Sequence, residues 1–141
     1  MINIFVISFL TKGNAVLLVR RRNQTFGKGL YSMVGGKLEE NETLRQAIKR
    51  EVFEETALDI PESSFELAHV FHRKGTETEL ISLVFKADIS NFSPHNNEPE
   101  KHDDMAFFEI NNLPENIIPA HKQAIECIAK NITYSEHGWQ K

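Results

Sequence analysis

From Thr43 to Glu55 the chain contains no glycine or proline and is rich in Leu, Ala, Glu, Arg and Lys, which makes this its strongest helix signal. Asn41 or Glu42 is expected at the helix start. The pattern changes half-way along. On a helical wheel advancing ~100° per residue from Leu44, Ala47, Ile48, Glu51 and Glu55 fall within about 60°, and Glu54 within about 80°. The stripe that should face a core is therefore apolar for two turns and acidic afterwards.

Glu51, Glu54 and Glu55 stand at i, i+3 and i+4, so their side chains meet on one side of the helix. They also lie near the negative end of the helix dipole. Such a cluster costs stability unless something positive compensates. Mg²⁺ is the natural partner, with Mn²⁺ able to substitute, because hard dications take oxygen ligands and keep waters. Zinc is less suited, since no His or Cys shares the helix at ligand spacing. The alternative is a solvated acidic face screened by Lys49 and Arg50.

Gly35-Gly36 lies upstream, after the short strand expected at Tyr31–Val34. Glycines there allow close backbone approach to a ligand. The pattern is not that of a nucleoside-triphosphatase phosphate loop, because no Gly-Lys-Ser/Thr runs directly into the helix. Glu42 and Arg50 can pair and hold the intervening loop against the helix.

β-Branched and aromatic runs at Ile2–Leu10 and Ala15–Arg22 read as a hairpin, followed by a loop over Asn23–Gly29. Further strands are expected at Leu58–Ile60, Phe65–His72, Glu79–Ala87 and Met105–Ile110, a long loop at Ser90–Lys101, and a closing helix at Ala120–Ala129. This order predicts an α/β (α+β) domain with a mixed sheet and a helix on each face. Residues 1–132 read as one domain, and 133–141 as a loose polar tail. The 141 residues carry 20 acidic and 16 basic side chains, a net charge of −4 that suits neither DNA nor RNA as a partner. A small phosphorylated ligand is still compatible. The single Cys127 allows no internal disulfide and suits a cytoplasmic setting. No run reaches the ~20 residues of a membrane helix, and no signal peptide is read.

Gly36, Glu42 and then Arg50-Glu51-Val52-Phe53-Glu54-Glu55-Thr56-Ala57-Leu58 resemble the Nudix box, G-x5-E-x7-R-E-U-x-E-E-x-G-U, with U a bulky aliphatic residue. Every specified position matches except Ala57, where the family has glycine. The flanking Val16–Arg21 and Phe107–Pro114 are similar to strands of MutT-like members, and Asn97–Lys101 to an acidic loop in that group. The resemblance implies a Nudix α/β/α sandwich. It also implies a Mg²⁺-dependent pyrophosphohydrolase that cleaves a nucleoside triphosphate to the monophosphate and pyrophosphate, an oxidised base such as that of 8-oxo-dGTP included.

By the same resemblance Glu51, Glu54, Glu55 and the Gly35 carbonyl are metal ligands, and the three glutamates and Lys37 are catalytic. Arg21, which aligns with a phosphate-binding position of MutT-like relatives, Lys37, which stands beside the glycine pair, and the late-loop Glu100 and Asp104 are expected to contact substrate. The general base is a box glutamate or one of Glu98, Glu100, Asp103 and Asp104. Glu42 and Arg50 support the scaffold. Phe26, Tyr31, Met33, Phe71 and Phe108 are candidates to border a base, each with a plain core role as the alternative. His72, His95, His102 and His121 read as surface or packing residues, and Cys127 as a small buried hydrophobe. Other readings are hydrolysis of nucleoside diphosphate derivatives such as ADP-ribose, and a nucleotide sensor without catalysis. ADP-ribose-cleaving members carry a proline about 15 residues beyond the box, and this chain has none from 62 to 93. A homodimer is compatible with the resemblance.

Overall fold

The computed structural model describes residues 1–22 and 27–139. Its elements run β1 (Ile2–Lys12), β2 (Ala15–Arg21), β3 (Tyr31–Ser32), β4 (Val34–Lys37), α1 (Leu44–Thr56), β5 (Glu66–Lys74), β6 (Glu79–Asp88), β7 (His102–Glu109), α2 (Pro119–Ala129) and β8 (Tyr134–His137). A 3₁₀ turn covers Glu62–Ser64. No strand forms at Leu58–Ile60, because Leu58 and Ile60 drop directly into the core beneath α1.

The strands form one mixed sheet in the order β3-β2-β1-β6-β5-β8, with β4 also paired to β1 and β7 to β2. β1 is central. Val6 to Leu10 is buried at every position, as expected of a strand covered on both faces. It pairs in parallel with β6 from Ile2↔Glu79 to Thr11↔Asp88.

The hairpin between β1 and β2 is real but short, paired only at Thr11↔Val16 and Lys12↔Ala15. Beyond its tip the two strands diverge. β3 follows β2, and β4 fills the fork against β1 from Phe5↔Lys37 to Ser8↔Val34. Gly35-Gly36 therefore lies inside a strand, not after one. A Cβ on Gly35 would run into the Val6 carbonyl, so glycine is what lets the two backbones close. At the crossing residue, the Met33 N–H donates to His121 Nδ1 at 3.0 Å instead of to a neighbouring strand.

Two cores lie on opposite faces. Val6, Leu10, Leu17, Val19 and Val34 pack against Ala47, Ile48 and Val52 of α1. Their alternates Ile7, Phe9, Leu18 and Val84 pack against Ala120, Ala124 and Ile125 of α2. Complete burial of one such Ile or Val is worth about 1.5–3 kcal/mol, so the two faces hold the helices in place.

The segment expected as a loose tail joins the sheet. β8 pairs in parallel with β5, from Val70↔Tyr134 to Arg73↔His137. The Val70 N–H donates to the Thr133 carbonyl at 2.9 Å, and His69 Nε2 meets Ser135 Oγ at 2.8 Å. Backbone pairing across such a sequence distance carries no hydrophobic periodicity, so a polar strand read as a tail.

Candidate functional site

Thr43, not Asn41 or Glu42, caps α1. Its side chain accepts from the Gln46 N–H at 3.1 Å, and Gln46 Oε1 accepts from the Thr43 N–H at 2.8 Å, a complete capping box. Glu42 is left free to receive Arg50 on both oxygens, at 2.8 and 3.0 Å. This bidentate pair ties the loop to the helix, and the guanidinium holds the Glu42 carboxyl below its usual range. Arg50 also reaches Glu51 at 3.0 Å, Glu54 at 3.3 Å and the Lys37 carbonyl at 3.3 Å.

At its far end α1 stops at Ala57, whose φ of 64° lies in the left-handed region and whose N–H donates to the Phe53 carbonyl at 2.9 Å. Alanine thus adopts the turn that glycine favours, with a cost in strain.

The last two turns of α1, the β4 glycines and the loop before β7 enclose a cleft of about 360 Å³. It is lined by Arg21, Gly35, Gly36, Glu51, Glu55, Glu98, Glu100, Lys101 and His102. A Cβ on Gly36 would collide with the Glu51 carboxylate, so the glycine makes the space that carboxylate occupies. The loop is locked onto the helix: Asn97 Nδ2 donates to the Glu54 carbonyl at 3.0 Å, and the Asn97 N–H to the Glu55 carbonyl at 3.0 Å.

Glu55 is the electrostatic centre. Burial, followed by the charges of Glu51 and Glu98, pushes its carboxyl well above the usual range. Burial also raises Glu51, against the pull of Arg50. Glu55 Oε1 lies 3.4 Å from His102 Nε2. Burial, and then Arg21 and Lys101, push His102 down to about 4, so it is neutral at pH 7. Among the described residues, His102 Nδ1 is buried without a hydrogen-bond partner. One ligand atom each from Glu55, Glu98 and His102 lies within 4.8 Å of the others. These carboxylates and the imidazole fit a divalent cation, whose charge offsets the repulsion that raises Glu55.

A second cavity of about 360 Å³ shares Arg21, Gly35 and Gly36 with the cleft and runs under the sheet fork. Its apolar walls include Phe5, Ile7, Met33 and Ile118, and Arg73 and His121 also face it.

Of the residues expected at the site, Glu51, Glu55, Gly35, Arg21 and Glu100 line the cleft. Glu54 does not. Its half-exposed side chain sits on the flank of α1 with Arg50. Lys37 does not line it either, and is exposed at the end of β4. Asp104 accepts from the Tyr31 hydroxyl, and Asp103 pairs with Arg20 at 2.6 Å, both away from the cleft. Alternation along β7 and pairing with β2 turn those two carboxylates aside.

Among the base-side candidates, Met33 lines the second cavity, while Tyr31 and Phe108 stack edge-on at 4.9 Å and Phe71 is core. Phe26 lies outside the described residues. Cys127 is half-buried. His102, expected as a surface or packing residue, stands in the cleft. No spacing in the sequence marks it, because only the loop fold carries it to Glu55.

Residues 1–129 match the NUDIX domain family. The chain belongs to the Nudix family. Its Nudix relatives include an ADP-ribose pyrophosphatase of Methanocaldococcus jannaschii, 32% identical over 75% of this chain and 61% of that protein. Another is an oxidised purine nucleoside triphosphate hydrolase of Danio rerio, 30% identical over 72% of this chain and 62% of that one. The chain thus spans about three fifths of the length of these relatives. Among solved structures, a MutT Nudix hydrolase from Burkholderia pseudomallei superposes with a TM-score of 0.82 at 21% identity, covering 89% of this chain and 97% of that one. This likeness is one of fold, and it agrees with the mixed sheet between two helices. No helix among the described residues is long and apolar enough to cross a membrane.

Proposed function

We propose that the chain is a divalent-metal-dependent pyrophosphohydrolase that cleaves a nucleoside triphosphate to the monophosphate and pyrophosphate. The observation that carries this reading is the convergence of Glu51, Glu55 and Glu98 on one cleft beside Arg21, with an apolar cavity opening from the same glycine pair. Such an arrangement suits a ligand with an anionic end and a flat apolar end.

In this reading Glu51, Glu55, Glu98 and the Gly35 carbonyl hold Mg²⁺ or Mn²⁺, with Glu54 at the exposed edge of the set. When bound, the metal polarises a phosphoryl oxygen and lowers the pKa of water. Arg21 spans both cavities and positions a phosphate between them. Glu100 stands on the cleft wall and serves as the late-loop general base. The sheet fork holds the base against Met33 and Phe5. Lys37 and Asp104 have no part in it.

The similarity to an ADP-ribose pyrophosphatase supports a second substrate, in which the same cleft receives an internal diphosphate. The net charge of −4 argues against a nucleic-acid polymer. The single cysteine suits a reducing cytoplasm. A Mg²⁺-supplemented panel of nucleotides with product analysis tests the reading. Triphosphates should yield pyrophosphate. Orthophosphate as their sole product removes the assignment, and preferential release of AMP from ADP-ribose transfers it to the second substrate.

A further inference from the structure

The loop before β7 brings a nitrogen ligand to an oxygen site. The His102 N–H donates to the Glu98 carbonyl at 3.0 Å, as does the Lys101 N–H at 2.9 Å, and Asn96 Nδ2 donates to the His102 carbonyl at 2.7 Å. These bonds hold the Glu98 and His102 backbones together. The His102 side chain is 4% exposed. The 3.4 Å from His102 Nε2 to Glu55 Oε1 is longer than the ~2.9 Å mode of a hydrogen bond. Two ligands each ~2.1 Å from one ion lie about 3.0–3.5 Å apart in neighbouring positions, which matches the observed separation. Glu98 completes the group within 4.8 Å. The other ring nitrogen is buried and without a partner among the described residues, so no hydrogen bond on that side explains why a histidine stands here.

We propose that His102 is a metal ligand which, with Glu55 and Glu98, forms a mixed nitrogen–oxygen site that favours a transition-metal dication such as Mn²⁺ or Co²⁺ over Mg²⁺. The proposal rests on the metal reading of the cleft given above. Imidazole binds Co²⁺ well and the harder Mn²⁺ more weakly, whereas Mg²⁺ holds to oxygen and water. The site therefore selects by ligand type, and its choice of ion is written in a residue outside the box helix.

Pulsed electron paramagnetic resonance of the full chain titrated with one to three equivalents of Mn²⁺ tests this directly. The expected result is a ¹⁴N modulation that becomes a ¹⁵N one when the protein is labelled with [¹⁵N]histidine and disappears in His102→Gln. Bound Mn²⁺ without nitrogen coupling at every loading overturns the proposal and leaves the hydrolase reading standing. No Mn²⁺ uptake at all overturns both. By titration calorimetry, His102→Gln should lose about tenfold or more in Mn²⁺ affinity while Mg²⁺ affinity changes less than about threefold. Equal losses for the two ions show a purely structural histidine and overturn the proposal. Should that variant fail to fold, the spectrum of the unaltered protein still decides.

Discussion

Helices α1 and α2 cover opposite faces of one sheet, and they use their polar residues in opposite ways. α2 buries Ala120, Ala124 and Ile125, together with one polar side chain, His121, whose Nδ1 is satisfied by the Met33 N–H. α1 buries Ala47, Ile48 and Val52, but then also Glu55, whose neighbours Glu51 and Glu98 carry the same charge. One helix is satisfied by the chain alone. The other buries a carboxyl among like charges, so its last turns are held in place by its first ones and by the core. That contrast separates a buried polar residue paired within the chain from one whose neighbours share its charge.

The largest effect should appear on the α2 side. His121 is held at about 3 by burial and by Arg73 and Arg21, against 6.5 when unfolded. Between those values the unfolded chain binds more protons. The contribution is complete above pH 6.5 and is lost as pH falls toward 3, at a slope on the order of 1 kcal/mol per pH unit. Denaturant titrations of metal-free protein and His121→Gln should diverge below pH 6.5, and a constant gap between them breaks the contrast.

On α1 the reverse holds. Glu55→Gln should lower turnover about a hundredfold, roughly 2.7 kcal/mol in barrier, while raising the thermal midpoint of the metal-free protein, because it removes a buried ionisable group from beside like charges. A variant that loses both activity and stability makes Glu55 structural. Glu54→Gln, at the exposed flank, should lose about tenfold in rate, roughly 1.4 kcal/mol. An unchanged rate would confine the metal set to the cleft wall.

Two smaller changes probe the ends of the same helix. Thr43→Ala removes a complete capping box and should cost about 1 kcal/mol in urea unfolding. Ala57→Gly relieves the left-handed alanine and should gain about 0.5–1 kcal/mol, with turnover unaltered. Loss of stability on that change would show that the turn is held by packing and carries no strain.

The linear pattern carried the box helix, the Glu42–Arg50 clasp and Glu51 and Glu55, because these depend on spacing within one helix and its adjoining loop. The strands legible in advance were those with apolar runs buried on one or both faces, such as β1 and β6. β7 began earlier than expected, at His102, since Asp103 and Asp104 disguise a strand whose outward residues are charged. The Gly35-Gly36 pair lies inside β4 and not after a strand, and only the divergence of β1 and β2 shows why a strand there must lack side chains.

The sequence by itself determined the kind of chemistry: a helix with carboxylates at i, i+3 and i+4 on one side, within the spacing of the Nudix box. Tertiary structure decided which residues share the cleft. It brought Glu98, Glu100 and His102 to Glu55, turned Asp103 and Asp104 away, and set Lys37 at an exposed strand end. The physical reason is range. Helical periodicity fixes neighbours a turn apart, whereas contacts between a loop and a helix depend on how the sheet between them is paired and where its strands part.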